Sequence, residues 1–189
     1  MKSLAAIFAI AFVFVVGASA QMGQMGKKDD NPMVGGAPMY RTKNIVENAV
    51  NSKDHTTLVA AVKAAGLVDT LSGPGPFTVF APTNSAFDKL PAGTVDTLLK
   101  PENKGTLTKV LTYHVVAGNY DSKAIMKAIK KGNGKAEFTT VAGGKLTAMM
   151  DGKDLVLMDE KGGRAKVTIA DVRQSNGVIH VIDTVVMPN

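Results

Sequence analysis

The feature that most constrains this fold is the apolar run at residues 176–188. It opens with Asn176 and Gly177, residue types that supply the positive φ of a tight turn. Apolar side chains, mostly β-branched, then occupy both odd and even positions, which predicts a strand buried on both faces. His180 and Asp183 interrupt the run, so each needs a hydrogen-bond partner from elsewhere in the fold. We therefore expect this strand to lie in the middle of a sheet.

The start of the chain has the pattern of a secretory signal peptide. Lys2 precedes an apolar run over residues 4–16, and small residues end at Ala20. We predict a signal peptide over residues 1–20, cleaved after Ala20, which directs the protein to the periplasm or outside the cell. No later segment is long enough to anchor the mature chain across a membrane. The rest of the 189-residue chain suits one domain.

The chain contains no cysteine, which excludes disulfides, cysteine-ligated zinc and thiol chemistry. Its 22 Lys and Arg residues exceed its 16 Asp and Glu residues and give a net charge of +6. Such a surface favours an anionic polysaccharide, lipid head groups or an acidic protein as partner, or is simply well solvated. The absence of tryptophan and of a recognisable reading motif argues against nucleic acid.

Residues 21–39 are rich in Gly, Met, Pro and Lys and have no hydrophobic period, which predicts a flexible leader before a domain over residues 40–189. Thioethers are soft ligands for Cu(I), so the leader offers an alternative function in metal handling or envelope stress. Irregular spacing and the lack of histidine in the leader count against this alternative. The methionines concerned are Met22, Met25, Met33 and Met39.

Helix and strand signals follow one another along the rest of the chain. Asn44 and Glu47 have the spacing of a capping box, and Gly66 is placed to end a helix over residues 54–65. His55 falls in the first turn of that helix, where we expect it to be exposed. Further helices are predicted after Thr83 and over residues 94–100, 106–113 and 122–131, and strands over residues 77–82, 138–141, 146–150, 155–158 and 167–171.

Three blocks of the sequence resemble the fasciclin domain family. They are residues 78–87 (TVFAPTNSAF), 111–116 (LTYHVV) and 176–183 (NGVIHVID), in that family's order and separation. The resemblance implies an α+β fold, a fasciclin-like twisted β-sandwich or wedge with several short helices packed on one side. It also implies an extracellular role in adhesion or matrix contact, without catalytic activity.

Four residues are candidates for partner contact. The resemblance links Tyr113 and His114 to receptor contact, although their polar tips on apolar bodies also suit buried hydrogen bonds between helices and sheet. Asp171 matches the acid of an integrin-contact motif in animal members, and Val172 stands where isoleucine is usual; capping of the turn is the alternative role for Asp171. The residues expected to form the structural motif are Thr83, Asn84, Tyr113, His114, Asn176, Gly177, His180 and Asp183.

The sequence gives little support for an enzyme or a metal site. It has no Gly-x-Ser-x-Gly motif, and His114 and His180 both lie in apolar stretches. No histidine pair has zinc-ligand spacing, and the acids at residues 151–160 do not match a calcium loop. We therefore predict no cofactor and a non-enzymatic, exported binding module for cell-surface, matrix or host adhesion. The expected partner is a cell-surface or matrix protein or an anionic polysaccharide, and weak self-association stays open.

Overall fold

The last strand lies in the middle of the sheet, as its two-sided apolar pattern predicts. The computed structural model describes residues 31–189, and strand β9 (Gly177–Ile182) is buried there at all six positions. It pairs in parallel with β3 (Phe77–Pro82) and antiparallel with β8 (Arg164–Gln174). Pairing on both sides satisfies the backbone groups of a strand that water does not reach.

The main sheet has seven strands and almost closes on itself. The other strands of the structure are β1 (Met33–Val34), β2 (Ala37–Pro38), β4 (Val115–Ala117), β5 (Lys135–Thr139), β6 (Lys145–Asp151) and β7 (Asp154–Met158). The order is β4–β3–β9–β8–β7–β6–β5, and β1 pairs with β2 in a separate hairpin. A bridge between Val116 and Thr140 links the two edges of the main sheet. The predicted α+β class is confirmed, with the strands in one curled, near-barrel sheet.

Short helices occupy most of the connections between strands. The α-helices are α1 (Ile45–Ala49), α2 (Thr56–Ala65), α3 (Val68–Ser72), α4 (Asn84–Asp88), α5 (Thr94–Leu98), α6 (Lys104–Tyr113) and α7 (Ser122–Lys131), and 3-10 turns cover Lys53–His55 and Pro101–Asn103. The predicted capping box of Asn44 and Glu47 is present. Gly66 ends α2 at φ 72°, and Asp121 caps α7 through the amide of Ala124. None of the helices within residues 31–189 is long and apolar enough to cross a membrane.

The two faces of β9 contribute to two separate cores. Ile179 and Val181 belong to a core that also receives side chains from α1 to α6, which we call the helix-side core. Ile182 belongs to the strand-side core, which is built from β5 to β8 and from the buried face of α7. His180 lies on the same face as Ile182 and stacks on Phe80, with ring centroids 5.6 Å apart. Successive side chains of β9 point to opposite faces of the sheet, and each face packs against a core. The strand therefore has apolar side chains at both odd and even positions.

The folded domain begins earlier than the sequence predicts. The hairpin β1–β2 belongs to the same compact unit as the rest of the domain, which starts at Asn31. Met39 is 2% exposed and lies in the helix-side core, and the amide of Lys53 donates to the carbonyl of Gly35 at 3.1 Å. Residues 31–39 of the predicted leader are therefore folded, because apolar side chains interrupt its polar composition. The predicted signal peptide and residues 21–30 lie outside the described residues.

Candidate functional site

Tyr113 is the last residue of α6 and is fully buried. Its hydroxyl donates to the carbonyl of Lys145 at 2.6 Å and accepts from the amide of Glu160 at 3.2 Å. Burial raises the pKa of Tyr113 to about 12, against the opposing effect of the Glu160 amide. The phenol therefore stays neutral and joins the end of α6 to two turns of the sheet.

His114 follows Tyr113 and is 2% exposed. Its Nδ1 lies 2.8 Å from the carbonyl of Val110, so Nδ1 carries the proton and donates, and Nε2 accepts from the amide of Val186 at 3.3 Å. Burial lowers the pKa of His114 to about 4, although the bond to Val110 and the charge of Asp159 oppose this effect. The neutral ring thus fixes the chain after β9 against α6.

Asp159 is a buried acid in the same region of the fold. It is 6% exposed. Its Oδ1 accepts from the amides of Lys161 and Gly163 at 3.0 and 2.6 Å, and its Oδ2 accepts from the amide of Met187 at 2.9 Å. An aspartate side chain that accepts from the amide two residues later forms an Asx turn, and Asp159 forms one with Lys161. His114 and Asp159 hold the C-terminal tail through the amides of Val186 and Met187, and we call Tyr113, His114 and Asp159 together the Tyr–His corner.

His180 is fully buried on the strand-side face of β9. Its Nε2 donates to the carbonyl of Tyr120 at 2.8 Å, and its Nδ1 accepts from the amide of Asp171 at 3.4 Å. Burial lowers the pKa of His180, while the bond to Tyr120 and the charges of Asp171 and Asp121 act in the opposite direction. The ring therefore connects the central strand to the segment that leads into α7.

Asp171 holds the start of α7. It has φ 61°, in the left-handed region, at an irregularity of the pairing between β8 and β9. One carboxylate oxygen accepts from the amide of Ser122 at 2.6 Å and the other accepts from its hydroxyl at 2.5 Å. Burial alone would raise the pKa of Asp171, but the bonds from Ser122 and the nearby guanidinium of Arg173 lower it. Both oxygens are thus committed to the first residue of α7, and the side chain does not cap the turn near Asn176, which was the alternative role.

The four candidate contact residues therefore do not form an exposed site. Tyr113 and His114 are interior, and Val172 is 1% exposed in the helix-side core. Asp171 is half-buried and bonded to Ser122. The geometry supports the structural alternative for Tyr113 and His114, and it gives Asp171 a different structural role at the start of α7.

Asn176 and Gly177 act through hydrogen bonding and close packing. The side chain of Asn176 accepts from the amide of Ile45 at 3.0 Å and donates to the carbonyls of Leu71 and Gly73 at 2.8 and 2.9 Å. Neither residue has a positive φ, so the predicted turn geometry is wrong. Glycine is needed at 177 because a Cβ there would overlap the backbone carbonyl of Phe77 on the neighbouring strand.

The remaining motif residues connect helices to the sheet. Thr83 caps α4 through the amide of Ala86. Asn84 joins α4 to the start of α2, since it accepts from the amide of Thr57 at 3.1 Å and donates to the carbonyl of Lys53 at 2.9 Å. Asp183 accepts from the amide of Lys166 at 2.9 Å, and Lys89 lies 3.5 Å from its carboxylate.

The described residues contain no Ser-His-Asp relay around these histidines. The hydroxyl of Ser122 donates to Asp171, while the nitrogens of His114 and His180 are bonded to backbone groups. A nucleophile needs a base within reach of its hydroxyl, which this arrangement does not provide. Within residues 31–189, no three carboxylate or imidazole side chains converge on a position for a metal ion.

The methionines proposed for copper are not brought together where the structure describes them. Met39 is buried in the helix-side core, whereas Met33 is 58% exposed. Met22 and Met25 lie outside the described residues. The structure thus removes Met39 from a surface Cu(I) site.

His55 is buried, so the prediction of an exposed ring is wrong. It is 3% exposed because β1 and β2 fold over the start of α2. Its Nδ1 lies 2.9 Å from the hydroxyl of Ser52, and its Nε2 has no hydrogen-bond partner in bonding geometry. Burial lowers the pKa of His55, with the backbone of Ala81 and the charge of Asp54 opposing. The ring borders an apolar cavity of about 50 Å³ beneath α1 and α2.

Comparison with known proteins identifies the arrangement. The family model of the fasciclin domain matches residues 53–188. The chain belongs to the fasciclin domain family. It is 45% identical to Protein sll1483 of Synechocystis sp., over all of this chain and 99% of that protein. It is 39% identical to Immunogenic protein MPB70 of Mycobacterium bovis, over 74% of this chain and 66% of that protein.

Two further similarities concern a cell-surface protein and the fold. Cell surface glycolipoprotein MPB83 of Mycobacterium bovis is 38% identical over 74% of this chain and 58% of its own length. A FAS1 domain pair from the insect cell adhesion molecule Fasciclin I superposes with a TM-score of 0.66 at 19% identity, covering 75% of this chain and 50% of that one. The similarity to Fasciclin I shows that this chain has the fold of the fasciclin domain.

The three sequence blocks of this fasciclin domain meet in space. Residues 78–87 supply β3, residues 111–116 supply His114 and the start of β4, and residues 176–183 supply β9. These three strands are direct neighbours in the order β4–β3–β9. The polar residues of the blocks are therefore the contacts that join the strands to their helices.

Proposed function

We propose that this fasciclin domain is an exported, non-enzymatic binding module that attaches to cell-surface or matrix material. One observation carries the proposal: the polar side chains of the candidate contact residues and of the central histidine bond inside the fold. Tyr113, His114, His180 and Asp171 spend their donors and acceptors on the backbone or on Ser122. An interior committed to holding the fold leaves recognition to the outer surface.

The family and the surface charge support this assignment. MPB83, a relative over 74% of this chain, is named a cell surface glycolipoprotein, and the fold matches that of a cell adhesion molecule. The chain carries a net charge of +6. A positive surface favours anionic partners, so we propose an anionic polysaccharide or an acidic surface protein as the partner class.

Binding of the full chain to intact cells and to isolated envelope or matrix fractions tests the proposal. We expect saturable binding at physiological ionic strength that weakens as salt is raised, because exposed charges are screened over about 8 Å under those conditions. Asp171→Asn should retain this binding, since Asp171 is not an exposed contact. Absence of binding to every fraction at low salt, or turnover of ester or glycan substrates by the purified protein, would contradict the proposal.

A further inference from the structure

The outward face of α7 carries four exposed lysines, Lys123, Lys127, Lys130 and Lys131, which we call the lysine strip. Helix α7 contains no acidic residue. With about 3.6 residues per turn, the strip covers one side of the helix and extends for about 12 Å along its axis. Across residues 31–189, no ion pair or hydrogen bond involves any of these four ammonium groups. The strip is therefore available to an external anion.

The strip works against the stability of its own helix. Lys123 lies in the first turn, where the positive end of the helix dipole disfavours a cation. Lys123 and Lys127 are four residues apart, as are Lys127 and Lys131, and like charges at that spacing repel. Only Lys130 and Lys131, in the last turn, complement the dipole. A requirement for helix stability thus does not explain the whole strip.

Nearby acids do not neutralise the strip because each has another partner. Asp121 caps α7 and lies 2.9 Å from the guanidinium of Arg173. Glu137, on β5, lies 2.8 Å from the ammonium of Lys145. Lys135 is exposed at the start of β5 and continues the positive charge beyond the end of α7. The charge of this face is therefore uncompensated.

The apolar side of α7 identifies the kind of partner. Ile125 and Ile129 are buried in the strand-side core, so the helix has no free apolar face to insert into a lipid bilayer. Met126, at 38% exposure, is the one large apolar side chain of α7 that is exposed. A protein interface normally has an aromatic or apolar centre, and Met126 alone is too small an apolar area to form one. A row of solvated cations matches a chain of regularly spaced anions.

We propose that the lysine strip of α7 binds a linear anionic polysaccharide through its sulfate or carboxylate groups. This inference rests on the proposed attachment function and assigns it a site and a ligand class. The scaffold supports the site, because Asp171, Arg173 and His180 fix the start of α7 to the central strands. The strip is thus presented by a rigid helix.

A charge-matched pair of variants tests the site in the full chain. The strip variant carries K123Q, K127Q, K130Q and K131Q, and the control carries K53Q, K100Q, K153Q and K161Q, four exposed lysines without ion pairs in the described part of the chain. The probes are dextran sulfate, alginate, neutral dextran and phosphatidylcholine vesicles containing phosphatidylglycerol. We expect the strip variant to bind dextran sulfate at least about tenfold more weakly than the parent, and the control to lose about threefold or less.

Folding and ligand class are checked in the same experiment. The strip variant should melt close to the parent, because the repulsion that K123Q and K127Q relieve offsets the favourable dipole interactions that K130Q and K131Q remove. Equal losses in the two variants would overturn the inference in favour of general charge, and vesicle binding that exceeds polysaccharide binding would overturn it in favour of a lipid. If the parent attaches to envelope fractions and the strip variant attaches equally well, the site is wrong and the attachment function stands. If the parent attaches to nothing, both fail.

Discussion

The polar groups of the Tyr–His corner are buried and hydrogen-bonded, whereas those of the lysine strip are exposed to solvent. In the corner, Tyr113 and His114 are buried and each polar atom has a partner in the backbone. In the strip, Lys123 and Lys127 are exposed and have no partner within residues 31–189. A buried polar group costs free energy unless it is bonded, whereas a solvated cation is free to exchange water for a ligand. The residues that carry the family resemblance therefore hold the fold, and we propose that recognition uses a surface that the family pattern does not mark.

The largest effect on stability should follow replacement of His114 by leucine. His114→Leu leaves the carbonyl of Val110 and the amide of Val186 buried without their side-chain partner. We expect the free energy of unfolding to fall by about 2–4 kcal/mol, measured by chemical denaturation. His55→Leu is the matched control, because its Nε2 already lacks a partner, and it should cost about 1 kcal/mol or less. Equal losses of unfolding free energy in the two variants would show that the hydrogen bonds of His114 contribute no more to stability than those of His55.

Mild acid should weaken the fold through the same ring. The unfolded chain protonates His114 at its ordinary pKa of 6.5, whereas burial holds the folded pKa at about 4. Stability is therefore complete above pH 6.5 and is lost as the pH falls towards 4, by about 2 kcal/mol between pH 7 and pH 5. His55 and His180 act in the same direction, since their pKa values are also lowered.

Denaturation of the parent and of His114→Leu at pH 7 and pH 5 measures this effect. The variant should show a much smaller pH dependence than the parent. The lowered pKa values of Asp171 and Asp183 contribute only as the pH falls below their ordinary value of 3.8, outside this interval. An unchanged slope in the variant would mean that His114 is not the principal group.

A smaller effect is expected at the junction that presents the strip. Asp171→Ala removes the bonds to the amide and hydroxyl of Ser122 and keeps a side chain at φ 61°. We expect a loss of about 1–2 kcal/mol in the free energy of unfolding, with faster amide hydrogen exchange in the first turn of α7. Asp171→Gly should lose less, because glycine tolerates the positive φ. Amide exchange that stays slow in the first turn of α7 would show that the bonds of Arg173 and His180 are enough to hold the start of the helix in place.

The smallest effect on stability should come from Tyr113→Phe. The substitution keeps the ring in the strand-side core and removes only the hydroxyl bonded to Lys145 and Glu160. We expect a loss of about 1 kcal/mol, measured by the same denaturation. A loss as large as that of His114→Leu would show that the phenol is the main link of the corner.

Local signals predicted much of this fold, because they act over a few residues. The capping box at Asn44, the helix end at Gly66, the helix after Thr83 and the helix over residues 122–131 all appear as expected. The burial of β9 on both faces follows from its unbroken apolar pattern. These features depend on backbone groups close in sequence or on a pattern within one strand.

The features that the sequence did not predict depend on contacts between distant segments. His55 is buried because residues 31–39 fold over it, and the polar composition of that segment predicts a flexible leader. The positive φ of Asp171 arises where the pairing of β8 and β9 shifts, and register between strands is set by the whole sheet. For Tyr113 and His114 the sequence is compatible with partner contact and with buried hydrogen bonding. Only the burial of these two side chains distinguishes between the two roles.

The most direct test compares Tyr113→Phe with the strip variant in two measurements, the melting temperature and the affinity for dextran sulfate. Our account predicts that Tyr113→Phe melts lower and binds as tightly as the parent, while the strip variant melts close to the parent and binds at least about tenfold more weakly. A folded Tyr113→Phe protein that loses binding, together with a strip variant that keeps it, would contradict the account.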